Sequence, residues 1–212
     1  MGFYRDQVLP RLVDRACGIA SIDRRRIDTV AGLAGRVVEL GFGSGLNLDH
    51  YPAEVKIVLA VEPAVVAWRR SERRRARSTI AVDLIGPDAQ HLAIEDASCD
   101  GALSTFTLCV IPDIAAALAE LRRVLRPGGR FHFLEHGIAP HARVARWQAR
   151  LEPAERRLAG GCHLTRDPAA LVERAGFEVV ELDQGYGSGP KPWTWFTRGI
   201  ALNPGTAAAE PR

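Results

Sequence analysis

Three glycines at alternate positions, Gly41, Gly43 and Gly45, directly follow the short apolar run 37–40. A backbone without side chains can lie against a ligand and can adopt positive φ. Glu62 ends the next apolar run, and an acid in that place can accept hydrogen bonds from both hydroxyls of a ribose. These residue types therefore indicate a nucleoside-containing ligand at the carboxyl end of a central strand.

The spacing of the glycines distinguishes between two kinds of cofactor. A dinucleotide fingerprint has a third glycine that would fall at position 46, and this position holds Leu46. The glycines alternate instead, and an acid, Glu39, lies inside the preceding apolar run. The pattern argues against a nicotinamide-dependent oxidoreductase. That class stays as an alternative, as does a module that binds a cofactor without catalysis.

Three further stretches follow the glycine loop. They are Asp88–Leu92 after the third apolar run, Ser98–Leu108 at the fourth, and Leu121–Gly129 before the fifth. With the loop, they resemble the class I methyltransferases, which use S-adenosylmethionine, and the resemblance is strong from Val37 to Glu135. It implies that Asp88 meets the adenine amine and that Leu121–Gly129 has only a structural role.

The resemblance implies S-adenosylmethionine as the cofactor and a set of residues that bind it. The set consists of Glu39, Gly41, Gly43, Ser44, Gly45, Asn47, Glu62, Pro63, Asp88, Ala89 and Thr105. Ser104–Thr107 lacks the N-P-P-Y-like turn typical of enzymes that methylate base amines of DNA or RNA, so such an amine is disfavoured as the acceptor. The acceptor is expected to be a small molecule. Quinone or lipid C- or O-methyltransferases share the motifs of strands four and five and form the main alternative.

Smaller features narrow the resemblance to the alkyl thiol methyltransferases, the methyltransferase-like seven group. They are Tyr51–Pro52, Pro63, Leu108–Val110, Glu135–His136 and Gly161–Arg166. The sequence departs from that group at Phe42, where a small residue is usual, and at Glu62, which replaces the commoner Asp. Those proteins carry an apolar membrane anchor before the domain, and none is expected here. The resemblance implies that the acceptor is a thiol.

Histidine supplies the candidate catalytic group. A sulfonium methyl is already activated, so the protein mainly aligns the nucleophile and excludes water, and no metal is needed. A general base helps only when the acceptor arrives protonated, as a thiol or a hydroxyl can. His136, at the carboxyl end of the fifth strand, is either this base or a residue that satisfies a local backbone group. His163 is a weaker candidate, His132 is expected to pack inside the strand, and Glu135 would be a partner of His136 or a helix-capping acid.

The four cysteines are Cys17, Cys99, Cys109 and Cys162, and no two of them have C-x-x-C spacing. That spacing is a usual sequence signal of a zinc site or a redox pair, so the sequence predicts neither. Cys99 and Cys109 lie in or beside an apolar run and are expected to be small core residues.

A sheet must position these residues, and short apolar runs alternate with helical patterns along the chain. Strands are predicted at 37–40, 57–61, 80–85, 101–108, 130–134, 177–182 and 193–197. Helices are predicted over Tyr4–Asp28, over Ile114–Leu125 with Asp113 as N-cap, and from Pro168 with Asp167 as N-cap. The expected fold is α/β: a doubly wound, mostly parallel, seven-stranded Rossmann-like sheet with N-terminal helices.

The expected organisation has three parts: an N-terminal helical cap at 1–35, a methyltransferase domain at 36–202 and a disordered tail at 203–212. Residues 142–158 are expected to form a helix that Pro153 breaks near Glu152, with Trp147 in the core.

Two further segments have expected surroundings. Trp193 and Trp195 alternate along the last strand and are expected to share a buried face. The segment 69–77, rich in arginine, is expected to be a solvated helix face rather than a nucleic-acid site.

Composition sets outer limits on the function. The 212 residues are 47% hydrophobic and carry a net charge of only +3, which gives no general electrostatic case for nucleic acid as a partner. No stretch reaches the roughly 18 apolar residues of a spanning helix, so no integral membrane segment is expected. The expected protein is a cytoplasmic enzyme, and the sequence does not indicate its oligomeric state.

Overall fold

The fold is seen in a computed structural model that describes residues 4–205, apart from the side chains of Arg5 and Asp6. Within that range the strands are β1 (Gly35–Leu40), β2 (Val55–Val61), β3 (Ala81–Gly86), β4 (Cys99–Thr105), β5 (Leu125–His136), β6 (Glu178–Tyr186) and β7 (Trp195–Leu202). The α-helices of that range are α1 (Leu9–Cys17), α2 (Ala20–Val30), α3 (Val65–Arg70), α4 (Glu72–Arg77), α5 (Ile114–Val124), α6 (Ala142–Leu158) and α7 (Pro168–Arg174).

The seven strands of the described residues form one sheet in the order β3-β2-β1-β4-β5-β7-β6. β1 is parallel to both β2 and β4, whereas β7 is antiparallel to β5 and β6. The carboxyl ends of β1, β2 and β4 therefore meet where the chain order reverses, which is the usual ligand-binding edge of such a sheet. The predicted doubly wound, mostly parallel sheet is confirmed.

The sheet is covered on both faces. One core packs Val38 and Leu40 of β1 against Leu118 and Leu121 of α5, together with Val172 of α7. The other core contains Val37, Val58 and Leu103 from the opposite side of the strands, with Phe42 and Trp68 packed among them. Alternate residues of β1 thus face different cores, as the pleat of a strand requires.

The helix ends were predictable where polar caps mark them. Asp113 accepts a hydrogen bond from the Ala116 amide at 3.0 Å, and Asp167 accepts one from the Ala170 amide at 3.1 Å. Both predicted N-caps are confirmed. Helices were predicted between all the apolar runs. The connection from β1 to β2, residues 41–54, consists of turns instead, so the prediction is wrong there.

Several strand boundaries also differ from the prediction: β6 continues to Tyr186 rather than 182, and β7 continues to Leu202 rather than 197. β4 ends at Thr105 rather than Leu108, because the chain turns at Phe106, whose φ is +55°. β5 begins at Leu125 and runs through the expected turn, with an irregular register between β4 and β5 and Gly128 at a φ of +76°.

Helix α6 continues through Pro153 instead of breaking near Glu152. The helix lies on the surface, with Gln148 as its buried residue, so water can reach a carbonyl that the proline leaves without a partner. Trp147 is 49% exposed, so the expectation that it packs in the core is wrong. No helix within residues 4–205 has both the length and the apolar character needed to cross a membrane.

The end of the chain departs from the prediction in two places. Trp193 closes a short 3-10 helix and is 39% exposed, so it does not share a buried strand face with Trp195. Asn203 is buried, and its amide donates to the Leu125 carbonyl at 2.7 Å and the Arg122 carbonyl at 3.0 Å. These bonds fix Asn203, the first residue of the tail that was expected to be disordered. The structure describes this tail as far as Gly205, and the rest of it lies outside the described residues.

Candidate functional site

The glycine loop between β1 and β2 has the backbone geometry that only glycine adopts readily. Gly41, Gly43 and Gly45 have φ angles of +69°, +59° and +77°. A Cβ on Gly41 would lie 2.0 Å from Thr107 Oγ1, whereas a Cβ on Gly43 would point into open space, with its nearest neighbour, the Gly41 carbonyl oxygen, at 3.8 Å. Gly43 is therefore the position at which a ligand can lie directly against the loop.

Glu62 fastens this loop to the end of β2. One carboxylate oxygen accepts the Gly43 amide at 2.6 Å and the other accepts the Ala64 amide at 2.7 Å. Burial raises the pKa of Glu62, and these two amides oppose that shift. Each carboxylate oxygen keeps a lone pair for a further donor, such as a ribose hydroxyl. Pro63, the next residue, is exposed.

Glu39 and Asn47 form a fully enclosed pair under the loop. Glu39 accepts hydrogen bonds from Asn47 Nδ2 at 2.6 Å and from the Tyr51 hydroxyl at 2.7 Å. Burial raises the pKa of Glu39 to about 7, although both hydrogen bonds act in the opposite direction. Asn47 Nδ2 also donates to Thr105 Oγ1 at 3.0 Å, which links the first strand to the end of β4.

Arg26 extends this network into the N-terminal helices, and sequence reasoning missed it. Its guanidinium donates to Asn47 Oδ1 at 2.7 Å and to Thr105 Oγ1 at 2.9 Å, and the residue is only 3% exposed. Burial lowers its pKa. In the sequence Arg26 is the last of three consecutive arginines, and helical spacing alone did not show which of them points inward.

Ser44, in the middle of the loop, is held by charged residues from two distant helices. Its hydroxyl donates to Asp14 of α1, and its carbonyl accepts from Arg74 of α4 at 3.0 Å. Arg70 also pairs with Asp14, and Arg77 pairs with Asp49 at 2.7 Å. The expectation of a solvated face for 69–77 is therefore wrong for Arg74, which is partly buried and supports the glycine loop; Arg69, Arg70, Arg73 and Arg77 are exposed, as expected.

The predicted adenine-binding residues lie in the turn after β3. Asp88 accepts two hydrogen bonds from Gln90, one from its amide nitrogen and one from its side chain, both at 2.9 Å. Its second carboxylate oxygen lies 3.2 Å from a ring nitrogen of His91, and Ala89 beside it is buried. Their proposed contact with adenine remains a prediction.

His136, the candidate base, ends β5 and faces a thiol. Its Nε2 lies 3.1 Å from Cys162 Sγ, and its buried Nδ1 has no hydrogen bond with any described residue. Burial is the largest single effect and lowers the pKa of His136, but the hydrogen bond with Cys162 and the charges of Cys162, Glu135 and Glu155 together make the net shift upward. The alternative, a bond to a local backbone group, is absent among the described residues.

The other candidate side chains near His136 have structural partners. Glu135 accepts from the amides of Thr107 and Leu108 and from the Ser104 hydroxyl, so it fixes the turn after β4. His132 is fully buried and donates from Nδ1 to the Thr29 carbonyl at 2.7 Å, as expected for a packed residue. His163 contacts Glu152 at 3.1 Å.

Cys109, His136 and Cys162 come together at the carboxyl end of β5. One donor atom from each residue lies within 4.8 Å of the other two. The sequence predicted no such group, because its members come from three separate elements and have none of the local spacings by which metal or redox cysteines are recognised. Cys109 is a buried core residue, as expected, but its thiol is also one member of this polar cluster.

Comparison with known proteins finds related methyltransferases. A family model described as a methyltransferase domain matches residues 38–133. Thiol S-methyltransferase TMT1B of Mus musculus is 34% identical over an alignment that covers 82% of this chain and 72% of that protein. The Rattus norvegicus protein of the same name is 32% identical over 77% of this chain and 66% of its own length.

The chain belongs to the S-adenosylmethionine-dependent methyltransferases. The solved structure of one such enzyme, from Thermotoga maritima, superposes with a TM-score of 0.64 at 23% identity, over 93% of this chain and 99% of that one. That likeness shows the fold alone. The open approach to Gly43 beside the Glu62 carboxylate is a cradle that fits the family's cofactor.

Proposed function

We propose that this protein transfers the methyl group of S-adenosylmethionine to the sulfur of a small alkyl thiol. The assignment of the cofactor rests on Gly43, whose backbone is open to a ligand and whose amide donates to Glu62. The thiol is supported by the relatives, which are named as thiol S-methyltransferases and of whose length this chain spans about two thirds to three quarters.

In this proposal, each residue predicted to bind the cofactor has a role that follows from its position in the fold. Gly41, Gly43 and Gly45 bring the backbone against the cofactor, and Glu62 accepts the ribose hydroxyls. Asp88 and Ala89 bind the adenine. The remaining residues of the set, Glu39, Ser44, Asn47, Pro63 and Thr105, shape the loop and its surroundings.

The reaction is an in-line displacement at the methyl carbon. The acceptor sulfur forms a bond to that carbon, the carbon–sulfur bond of the sulfonium breaks, and the products are S-adenosylhomocysteine and a methyl thioether. The thiol proton leaves to solvent or to a base. A free thiol has a pKa of about 8.5, so part of it is thiolate at neutral pH and the base has less to contribute than it would for an alcohol.

The N-terminal segment 1–35 belongs to the working enzyme in this proposal. Arg26 reaches from α2 to Asn47 and Thr105, so the helices are joined to the predicted cofactor edge of domain 36–202 by buried hydrogen bonds. Helices α1 and α2 of this segment therefore close the site from one side, as a helical cap would.

Labelled methyl transfer tests the proposal directly. Purified protein is incubated with methyl-labelled S-adenosylmethionine and three acceptors: an alkyl thiol, the alcohol of the same chain length and a quinone. We expect label in the thioether and little in the other products. Transfer to the quinone alone, or to no acceptor, would contradict the thiol assignment while leaving the cofactor assignment intact.

A binding experiment tests the cofactor separately. S-adenosylhomocysteine at 100 times its dissociation constant should stabilise the fold by about 2.7 kcal/mol, and NADH should have no effect. The reverse result would favour an oxidoreductase. Binding without transfer to any acceptor would favour a module that does not catalyse a reaction.

The proposal also covers partners and compartment. Arg70 and Arg77 are paired with Asp14 and Asp49, and Arg74 donates to the Ser44 carbonyl, which supports a protein that does not bind nucleic acid. A gel-shift titration with DNA and RNA would check this. We propose a cytoplasmic location, which fractionation of cells that express the full protein would test.

A further inference from the structure

The cluster of Cys109, His136 and Cys162 is unusual because its three polar side chains come from unconnected parts of the fold. Cys109 follows β4, His136 ends β5, and Cys162 lies in the loop between α6 and α7. One donor atom from each lies within 4.8 Å of the others. None of these side chains caps a helix or completes a sheet ladder, so the fold alone does not explain why they meet.

The donor atoms form a set that soft or borderline-soft metal ions prefer. Two thiols and one imidazole are the protein ligands of several zinc sites, and a fourth position then remains for a water or another ligand. Zinc binds sulfur at about 2.3 Å and nitrogen at about 2.0–2.1 Å, which places tetrahedral ligand atoms roughly 3.4–3.8 Å apart. The 3.1 Å between Cys162 Sγ and His136 Nε2 needs only a small opening to reach this spacing.

The surroundings leave the three side chains available to a metal. The acid next in sequence, Glu135, accepts from Thr107, Leu108 and Ser104 on Oε1 alone, and its buried Oε2 has no hydrogen-bond partner among the described residues. Arg166 is directed to the carbonyl oxygens of Leu108 and Ile111. The Cys109 thiol contacts the Phe106 carbonyl at 3.8 Å and shares a hydrogen bond with the Cys162 thiol inside the cluster.

Plain packing and a disulfide each account for only part of the cluster. Packing would explain small apolar cysteines beside Leu164, but it does not explain a histidine directed at one of the thiols. A disulfide would join two cysteines and leave His136 without a role. Hydrogen bonds join Cys109 to Cys162 and Cys162 to His136, so the three groups already converge, and a metal would engage all three donors at one point.

From this convergence we infer that Cys109, His136 and Cys162 form a binding site for one zinc ion. The bound ion would hold both cysteines as thiolates, with their protons released to solvent. It would also join the ends of β4 and β5 to the α6–α7 loop at the edge where the acceptor is expected. His136 would then serve as a ligand and would not be free to act as the base.

Zinc binding by the intact protein tests this inference without any methyl-transfer assay. Protein purified under reducing conditions is stripped with a chelator and titrated with Zn²⁺ alone, and in parallel with Co²⁺. We expect one equivalent per chain and the near-ultraviolet absorption of cobalt–thiolate bonds. Absence of stoichiometric zinc binding by the wild-type protein would overturn the inference, whatever the outcome of the thiol methylation assay.

Variants identify the ligands. Cys109→Ser, Cys162→Ser and His136→Asn should each weaken zinc binding by at least about tenfold, and the two serine variants should also reduce the cobalt–thiolate absorption. Cys17→Ser and Cys99→Ser remove thiols outside the cluster and should leave both measurements unchanged. Equal losses in these controls, or a Cys109–Cys162 disulfide that persists in reductant, would overturn the assignment. Circular dichroism of each variant shows that it is folded.

Discussion

Two regions at the carboxyl edge of the sheet are built in opposite ways. The glycine loop consists of consecutive residues, Gly41–Gly45, and its main partner Glu62 ends the adjacent strand. The cluster of Cys109, His136 and Cys162 draws one residue from each of three distant segments. The loop is recognisable because its chemistry depends on backbone conformation, which neighbouring residues determine, whereas the cluster depends on tertiary packing.

The conformation of the glycine loop nevertheless depends also on residues that are distant in sequence. Asp14 and Arg74 bind Ser44, and Arg26 binds Asn47, so helices on both sides of the loop in sequence determine its geometry. Substitutions of the loop residues should therefore have the largest effects on cofactor binding, and substitutions of these distant supports should have smaller ones.

The largest effect is expected for Gly43→Val. The branched side chain would enter the open space beside the loop at a φ of +59°, so the dissociation constant for S-adenosylhomocysteine should rise more than about 100-fold, or about 2.8 kcal/mol. Calorimetry measures this. Gly128→Val is a matched control, since Gly128 also has positive φ and open space but lies before the main part of β5. Similar affinity losses in both variants would place the site elsewhere.

The next largest effect is expected for Glu62→Ala. The loss of charge-assisted hydrogen bonds of about 1.5–3 kcal/mol each should weaken cofactor binding at least about tenfold. Glu54→Ala, at the exposed start of the same strand, is the control. A change below about twofold in the dissociation constant would show that Glu62 does not bind the ribose, because even one such bond contributes more.

The loop and the sheet around it were predictable for a physical reason. Alternating glycines, apolar runs and capping acids such as Asp113 act on residues close to them in sequence. The order of strands and helices along the chain then leaves few possible topologies for the sheet. The contacts of Arg26 and Arg74 were missed because arginine on a helix usually faces water, and the cysteine cluster was missed because its members are far apart in sequence. Burial of Arg26 depends on Asn47 and Thr105, which lie far along the chain.

Arg26→Gln tests the first distant support. The shorter side chain cannot reach both Asn47 Oδ1 and Thr105 Oγ1, and leaving a buried polar atom unpaired costs about 1–3 kcal/mol. We expect the free energy of unfolding to fall by this amount and cofactor affinity to fall with it. Arg24→Gln removes the same charge from an exposed position and should change neither quantity. If denaturant unfolding shows equal stability for the two variants, the N-terminal helices do not support the site through Arg26.

The smallest effect is expected for Arg74→Ala. Arg74 donates to the Ser44 carbonyl at 3.0 Å and lies 3.6 Å from Asp49, so its loss frees the middle of the glycine loop. The hydrogen bond should contribute about 1 kcal/mol, which corresponds to roughly a fivefold weaker cofactor affinity. Because a partly exposed ion pair contributes little and is screened by salt, an effect that persists at high ionic strength points to the bond with Ser44 rather than to Asp49. Arg73→Ala, on the exposed side of the same helix, is the control. Equal affinities for the Arg73 and Arg74 variants would restore the interpretation of α4 as a solvated helix and leave the loop supported by Glu62 and Asp14.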